Sequence, residues 1–144
     1  MNNTTPIFFY GTLRAPEVRS HVLQEEASCL DLCEAFVIGF KLRKVFGATY
    51  PALAIDPDAK QAIVGLLANN LTKTMVKKID VFEGQNYGRN PVTVTSNNGP
   101  VTGTAEAYLP KNLTNLYGKW NFEYWRRHQM SDFLASLQDN GQII

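Results

Sequence analysis

The sequence predicts an α+β fold, and two observations on periodicity lead to this class. Short apolar runs of strand length, rich in β-branched and aromatic residues, recur from residues 7–10 to residues 101–108. Residues 73–82 and 122–137 instead place their apolar side chains at helical spacing. A length of 144 residues with 44% apolar residues suits one hydrophobic core, so we expect a single domain over residues 1–144.

The chain begins with a strand, a glycine turn and a helix. Ile7-Phe8-Phe9-Tyr10 is an apolar, aromatic run of the buried-strand type, and Gly11 stops it. Pro16 suits the first turn of a helix, and apolar residues recur after it at helical spacing up to Leu23. A strand end and a helix start therefore lie within about ten residues of each other.

The next part of the chain alternates strands with turns. Apolar runs at residues 35–40, 50–55 and 62–68 are separated by glycine, proline and charged residues, which favours several strands. Asp56-Pro57-Asp58 is a strong turn signal before the last of these runs.

The clearest helix covers residues 73–82. Its apolar residues form one stripe, and its lysines occupy the opposite face. Thr72 is the predicted N-cap, and Gly84 marks the end. Glu83 is therefore expected at or just past the C-terminus of this helix.

A hairpin and a helix close the sequence. Residues 91–108 alternate as two strands around the turn Asn97-Asn98-Gly99-Pro100. Asn121 can cap a final amphipathic helix that runs through Leu137. The polar stretch 111–120 before this helix is a candidate to close over a cavity.

Charge and cysteine content exclude several classes of function. Fourteen basic residues stand against thirteen acidic ones, so no overall field would attract nucleic acid or an anionic membrane. No signal-peptide pattern and no run of membrane-spanning length is present, so we expect a cytoplasmic protein. Cys29 and Cys33 are spaced for one helical face and are expected to be buried free thiols, because no other cysteine could complete a zinc site.

Three motifs stand in a recognisable order. They are Tyr10-Gly11-Thr12-Leu13, Tyr50-Pro51-Ala52 and Phe82-Glu83-Gly84-Gln85-Asn86-Tyr87-Gly88-Arg89. Together with the hairpin end Ala107-Tyr108-Leu109, their order and spacing resemble the γ-glutamylcyclotransferase-like family, in its avirulence-induced-gene-like or γ-glutamylamine cyclotransferase branch. The resemblance covers nearly the whole chain.

The resemblance implies a fold, a reaction and a set of site residues. The fold would be α+β, with a mixed, strongly curved or barrel-like sheet and a few packed helices. The reaction would cyclise an L-γ-glutamyl amine or peptide to 5-oxoproline and a free amine, without metal or cofactor, and with oligomeric state left open. Glu83 would be the catalytic residue. The substrate-binding residues would be Tyr10, Gly11, Thr12, Leu13, Tyr87, Arg89 and Tyr108. Of the last three, which would line or support the pocket, Tyr108 would lie closest to the substrate.

The residue types themselves support this chemistry. One group must take a proton from the α-ammonium of the substrate and later deliver one to the leaving amine, and a single carboxylate suffices. An ordinary glutamate has a pKa of about 4.3, so we expect desolvation and the negative end of the helix dipole to raise the pKa of Glu83. Gly11 would let the main chain approach the substrate closely, and N–H groups nearby would hold its carboxylate.

Each role has an alternative. Glu83 could be an exposed residue at a helix end, residues 10–13 a tight turn with Leu13 in the core, and Arg89 part of a surface ion pair. The whole chain could also be a non-catalytic module of the same fold, which binds a small metabolite or a partner. Turnover of γ-glutamyl compounds distinguishes the enzyme from a module that a ligand only stabilises.

Overall fold

The computed structural model describes residues 4–96 and 101–139, so the predicted turn Asn97-Asn98-Gly99-Pro100 lies outside the described residues. Within them, the strands are β1 (Thr5–Phe9), β2 (Leu32–Val37), β3 (Phe40–Val45), β4 (Pro51–Ile55), β5 (Ile63–Leu71), β6 (Tyr87–Ser96), β7 (Val101–Pro110) and β8 (Leu116–Tyr117). The α-helices are α1 (Pro16–Leu23), α2 (Lys73–Glu83), α3 (Phe122–His128) and α4 (Met130–Asp139). Short 3-10 helices cover Thr12–Arg14 and Gln24–Cys29.

The main sheet is a closed barrel in the order β1, β5, β2, β6, β7. Its neighbours are antiparallel except for β1 and β7, which pair in parallel at Ile7 and Glu106 and complete the circle. The strands β4, β3 and β8 form a separate antiparallel sheet. The predicted α+β class, with a mixed and barrel-like sheet, is therefore confirmed.

Both faces of β1 are buried, which explains why its sequence is apolar at nearly every position. Ile7 and Phe9 belong to a core cluster that includes residues of α1, α2 and α3. Phe8 and Tyr10 belong to a second cluster built mainly from the barrel strands. Because successive strand residues point to opposite faces, each face of β1 meets a different core.

The helix α2 begins where the sequence predicts and ends one residue later, at Glu83. The side-chain oxygen of Thr72 accepts a hydrogen bond of 3.3 Å from the N–H of Met75. Gly84 ends the helix at a φ of 81°, and its N–H donates to the carbonyl of Asp80 at 3.0 Å. A positive φ favours glycine because it has no Cβ to clash with the backbone. Glu83 is thus the last helical residue.

The predicted C-terminal helix is in fact two helices. Asn121 caps α3 as expected, but Gln129 departs from helical geometry, with φ −128° and ψ −21°, and separates α3 from α4. Trp125 of α3 is fully buried. The bend allows α4 to take a different direction, in which Phe133 contacts Phe82 at the end of α2. Apolar spacing continued across the bend, which is why the sequence suggested one helix.

Two smaller expectations are wrong. Residues 111–120 do not cover the cavity described below, because β8 within them pairs with β3, with Leu116 opposite Val45. Cys29 and Cys33 do not share a helical face, since Cys33 lies in β2 and Cys29 ends a 3-10 helix, where it is exposed. Pairing with β5 decides the conformation at Cys33, and spacing alone could not reveal it.

Among residues 4–96 and 101–139, no helix combines the length and apolar character needed to cross a membrane.

Candidate active site

A cavity of about 200 Å³ lies where the end of β1, the turn after it, the end of α2 and the face of α4 meet. Every predicted site residue lines this cavity except Arg89. The lining residues are Phe8, Phe9, Tyr10, Gly11, Thr12, Leu13, Tyr50, Pro51, Phe82, Glu83, Tyr87, Tyr108, Phe133 and Leu137.

The turn after β1 brings the main chain to the cavity wall. In this 3-10 helix the N–H of Arg14 donates to the carbonyl of Gly11 at 3.0 Å. The N–H groups of Thr12 and Leu13 begin the helix and so have no acceptor within it. The Leu13 side chain is buried in the core, so the turn both packs and lines the cavity. A Cβ on Gly11 would lie 2.7 Å from Cγ of Pro51, which leaves room only for glycine.

Tyr10 joins the turn to the barrel. Its buried hydroxyl donates a hydrogen bond of 2.5 Å to the main-chain carbonyl of Tyr108, a residue 98 positions away in the sequence. Burial, followed by the nearby Glu83, raises the pKa of Tyr10 well above its ordinary value. Tyr10 is therefore a neutral donor that holds the end of β1 against β7.

Glu83 is the one carboxyl side chain on the cavity wall within the described part of the chain. The residue keeps some exposed surface, but protein surrounds its carboxyl group. Removal from water is the main cause that raises the pKa of Glu83 from 4.5 to about 8, and the carboxylate of Asp80 adds to it. A carboxyl group with this pKa can give and take protons near neutral pH.

Asp80 is a contributor that the sequence interpretation missed. It lies three residues before Glu83 in α2, and residues at this spacing are neighbours on one face of a helix. That spacing was the available signal. It does not by itself distinguish two solvated carboxylates from two that act on each other, because the surrounding protein decides their solvation.

Tyr87 fixes the part of the wall that Tyr50 and Pro51 form. Its hydroxyl donates a hydrogen bond of 2.8 Å to the carbonyl of Pro51. Its ring meets that of Tyr50 edge to face, with centroids 6.1 Å apart. Burial, followed by the nearby Glu83, raises the pKa of Tyr87. Tyr50 and Pro51 therefore shape the cavity wall, as the motif Tyr50-Pro51-Ala52 suggested.

Arg89 lies outside the cavity and contacts it through other residues. Its guanidinium pairs with Asp80 at 3.0 Å and with Glu106 at 2.7 Å. The hydroxyl of Tyr108 donates to the same carboxylate of Asp80 at 2.7 Å. Burial, followed by this hydrogen bond to Asp80, raises the pKa of Tyr108. The network thus runs from the surface ion pair of Arg89 through Asp80 to Tyr108 on the cavity wall.

The remaining wall is apolar and comes partly from α4. Phe133 and Leu137 line the cavity, and the Phe133 ring meets the Phe82 ring edge to face at 6.3 Å between centroids. The apolar stripe of this helix was visible in the sequence, but a stripe cannot show whether it faces a core or a cavity.

Among the described residues, no three His, Cys, Asp or Glu side chains are grouped so that they could hold a metal ion.

Comparison with known proteins places these features in a family. The model of the family described as gamma-glutamyl cyclotransferase, AIG2-like, matches residues 7–127. AIG2-like protein C of Arabidopsis thaliana is 33% identical over 134 residues, which cover 92% of this chain and 75% of that protein. The solution structure of an Arabidopsis thaliana protein has the same fold, with a TM-score of 0.70 at 22% identity over 94% of this chain and 89% of that one. A structure named gamma-glutamyl cyclotransferase gives a TM-score of 0.60 at 20% identity over 79% of this chain and 69% of its own. The chain therefore belongs to the gamma-glutamyl cyclotransferase, AIG2-like family.

Proposed function

We propose that this protein is a γ-glutamyl cyclotransferase that converts an L-γ-glutamyl amine or peptide into 5-oxoproline and a free amine. One observation carries the proposal: a single carboxyl group, Glu83, lines a small cavity beside the glycine turn and has a pKa raised to about 8. Membership of the family supports the same type of reaction. In this proposal Glu83 is the general acid and base.

The reaction requires no reagent beyond the substrate. Glu83 takes a proton from the α-ammonium group, and the free α-amine attacks the γ-carbonyl carbon to form a five-membered ring. The protonated Glu83 then gives its proton to the leaving nitrogen as the original amide bond breaks. The ring nitrogen passes its second proton to the regenerated Glu83 carboxylate, and the released amine takes up that proton and leaves as an ammonium ion. Because nucleophile and carbonyl belong to one molecule, holding the chain in a folded shape contributes several kcal/mol of rate acceleration. The proposed reaction uses neither a metal ion nor a cofactor.

Substrate binding is assigned to the turn and the tyrosines. The main-chain N–H groups of Thr12 and Leu13 are donors suited to the glutamyl carboxylate. Gly11 is assigned to the same binding turn, where its missing Cβ leaves room for Pro51 of the cavity wall. Tyr10 and Tyr87 hold the walls through hydrogen bonds to main-chain carbonyls. These hydroxyls already have acceptors, so they are better suited to shaping the cavity than to proton transfer.

In this proposal Tyr108 contacts the substrate and Arg89 does not. Tyr108 lines the cavity, whereas Arg89 acts through Asp80, which both residues contact. Arg89 is therefore a positioning residue in this proposal, and Tyr108 is the one that touches the substrate. An Arg89→Lys variant should retain part of the activity, because lysine keeps the charge but not the paired hydrogen bonds to Asp80.

The test measures 5-oxoproline release from a panel of γ-glutamyl amines and γ-glutamyl dipeptides. The wild-type protein should turn over at least one member of the panel. Glu83→Gln should fold but lose at least about a hundredfold in kcat, the usual range for removal of a general acid or base. Glu25→Gln, at an exposed glutamate far from the cavity wall, is the matched control and should keep full activity.

Two results would contradict the proposal. Turnover retained by Glu83→Gln would remove this residue from the mechanism. Thermal stabilisation of the wild type by a γ-glutamyl compound, without any 5-oxoproline, would instead favour a binding module of the same fold.

A further inference from the structure

The wall of the active-site cavity is poor in charge and rich in aromatic side chains. Within the described residues, Glu83 is its one carboxylic acid and no lysine, arginine or histidine lines it. Residues 1–3, 97–100 and 140–144 contain no lysine or arginine in the sequence either. The cavity therefore lacks a cationic side chain that could pair with a carboxylate of the substrate.

Two arginines that adjoin lining residues, Arg14 after Leu13 and Arg89 opposite Tyr108 in the β6–β7 pair, have partners outside the cavity. Arg89 pairs with Asp80 and Glu106 outside the cavity. The guanidinium of Arg14, the residue after the turn, lies 4.2 Å from the centre of the Phe122 ring, and Arg14 does not line the cavity. Both cations would have to abandon existing contacts to reach a bound substrate.

The helix α4 supplies an apolar surface to this cavity. Phe133 and Leu137 are four residues apart and therefore lie on one face of the helix. Phe133 is held in place by edge contacts with Phe82, at 6.3 Å, and with Trp125, at 5.5 Å between centroids. Phe82 and Glu83 line the same cavity as this apolar surface, so it shares the cavity with the carboxyl group that would protonate the leaving amine.

The charge on the leaving group of a substrate determines how well that group fits an apolar wall without cations. A γ-glutamyl amide of a simple amine carries one carboxylate, on its glutamyl part, which is assigned to the main-chain donors of the turn. A γ-glutamyl amino acid carries a second carboxylate on its leaving group, and a lysine isopeptide carries a carboxylate and an ammonium there. Burying such a charge without a partner is costly, whereas burying an aliphatic or aromatic group is favourable.

We propose that Phe133 and Leu137 of α4, together with Phe82, form the leaving-group subsite, and that this subsite selects γ-glutamyl amides of apolar amines without a carboxylate. This inference rests on the proposed cyclotransferase function and adds the class of leaving group. Cleavage proceeds as already described, with the apolar amine leaving after protonation of its nitrogen.

The test compares three substrates by 5-oxoproline release. They are γ-glutamyl-phenethylamine, γ-glutamyl-phenylalanine, which adds only a carboxylate to the same leaving group, and ε-(γ-glutamyl)-lysine. We expect kcat/KM to be at least about tenfold higher for the first than for either of the others, because only it leaves no unpaired charge in the subsite. Equal or better turnover of γ-glutamyl-phenylalanine or the lysine isopeptide would overturn the subsite while leaving the cyclotransferase function intact. Absence of 5-oxoproline from all three would overturn the subsite, and its absence from the whole panel of γ-glutamyl amines and dipeptides would overturn the cyclotransferase function as well.

A charge introduced into the subsite provides a second test. Leu137→Arg places a cation on the lining face of α4, and Leu137 is only partly buried, so a long side chain can be accommodated. The ratio of kcat/KM for γ-glutamyl-phenethylamine over γ-glutamyl-phenylalanine should fall by about tenfold, the effect of giving the second carboxylate a partner. Ala135→Arg, at an exposed position on the same helix, should leave that ratio unchanged. A ratio unaffected by Leu137→Arg in a folded variant would contradict the assignment of α4.

Discussion

The substitution Glu83→Gln should change how the stability of the protein depends on pH. In the folded protein, desolvation and Asp80 raise the pKa of Glu83 from 4.5 to about 8. Between these values the folded state binds a proton that the unfolded state has lost, so the free energy of unfolding falls as pH rises through this window. The whole difference corresponds to at most about 5 kcal/mol. Glutamine does not titrate, so the free energy of unfolding of the variant should not fall for this reason as pH rises.

Urea unfolding followed by tryptophan fluorescence is a suitable assay, because Trp120 and Trp125 are both buried in the folded protein. At about pH 5, wild type and Glu83→Gln should have similar stability. At about pH 9, the variant should be more stable by several kcal/mol. The Glu25→Gln control, at an exposed side chain, should follow the wild type throughout. Parallel curves for wild type and Glu83→Gln would refute the reasoning, because Glu83 would then ionise alike in both states.

Three further substitutions test the surroundings of this group. Asp80→Asn removes a nearby negative charge, so the pKa of Glu83 should fall and the acid limb of the profile of kcat/KM against pH should move to lower pH; an unmoved limb would contradict this. Gly11→Ala places a Cβ 2.7 Å from Cγ of Pro51. The KM should therefore rise, and thermal unfolding should show a stability lower by about 1–3 kcal/mol; an unchanged stability would show that this turn accommodates a side chain. Tyr87→Phe leaves the carbonyl of Pro51 without its donor, which should cost about 1–3 kcal/mol in urea unfolding; no loss would show that water replaces the hydroxyl.

Much of the local structure could be predicted because its causes lie within a few residues. The N-cap Thr72 and the stop at Gly84 determine α2, and both act on neighbouring backbone groups. Gly11 and Pro16 similarly mark the turn and the start of α1. The bend at Gln129 could not be predicted, because the apolar spacing continues on either side of it.

The candidate site could likewise be predicted only in part. The motifs identified Glu83 and the turn, but they could not show that the Tyr10 hydroxyl donates to the carbonyl of Tyr108. They also could not show that Arg89 lies outside the cavity and shares the carboxylate of Asp80 with Tyr108. These contacts join residues from different strands and helices. Their partners follow from the closure of the barrel and not from any spacing along the chain.

By itself, the sequence determined the α+β class, the limits of α2 and the position of Glu83 at the end of that helix. The tertiary structure alone decided that this carboxyl group loses water and faces Asp80, and that α4 supplies the apolar wall beside it. Caps and periodicity act over one or two helical turns, so they can be read along the chain. Desolvation depends on every atom packed around a group, and those atoms come from segments far apart in the sequence.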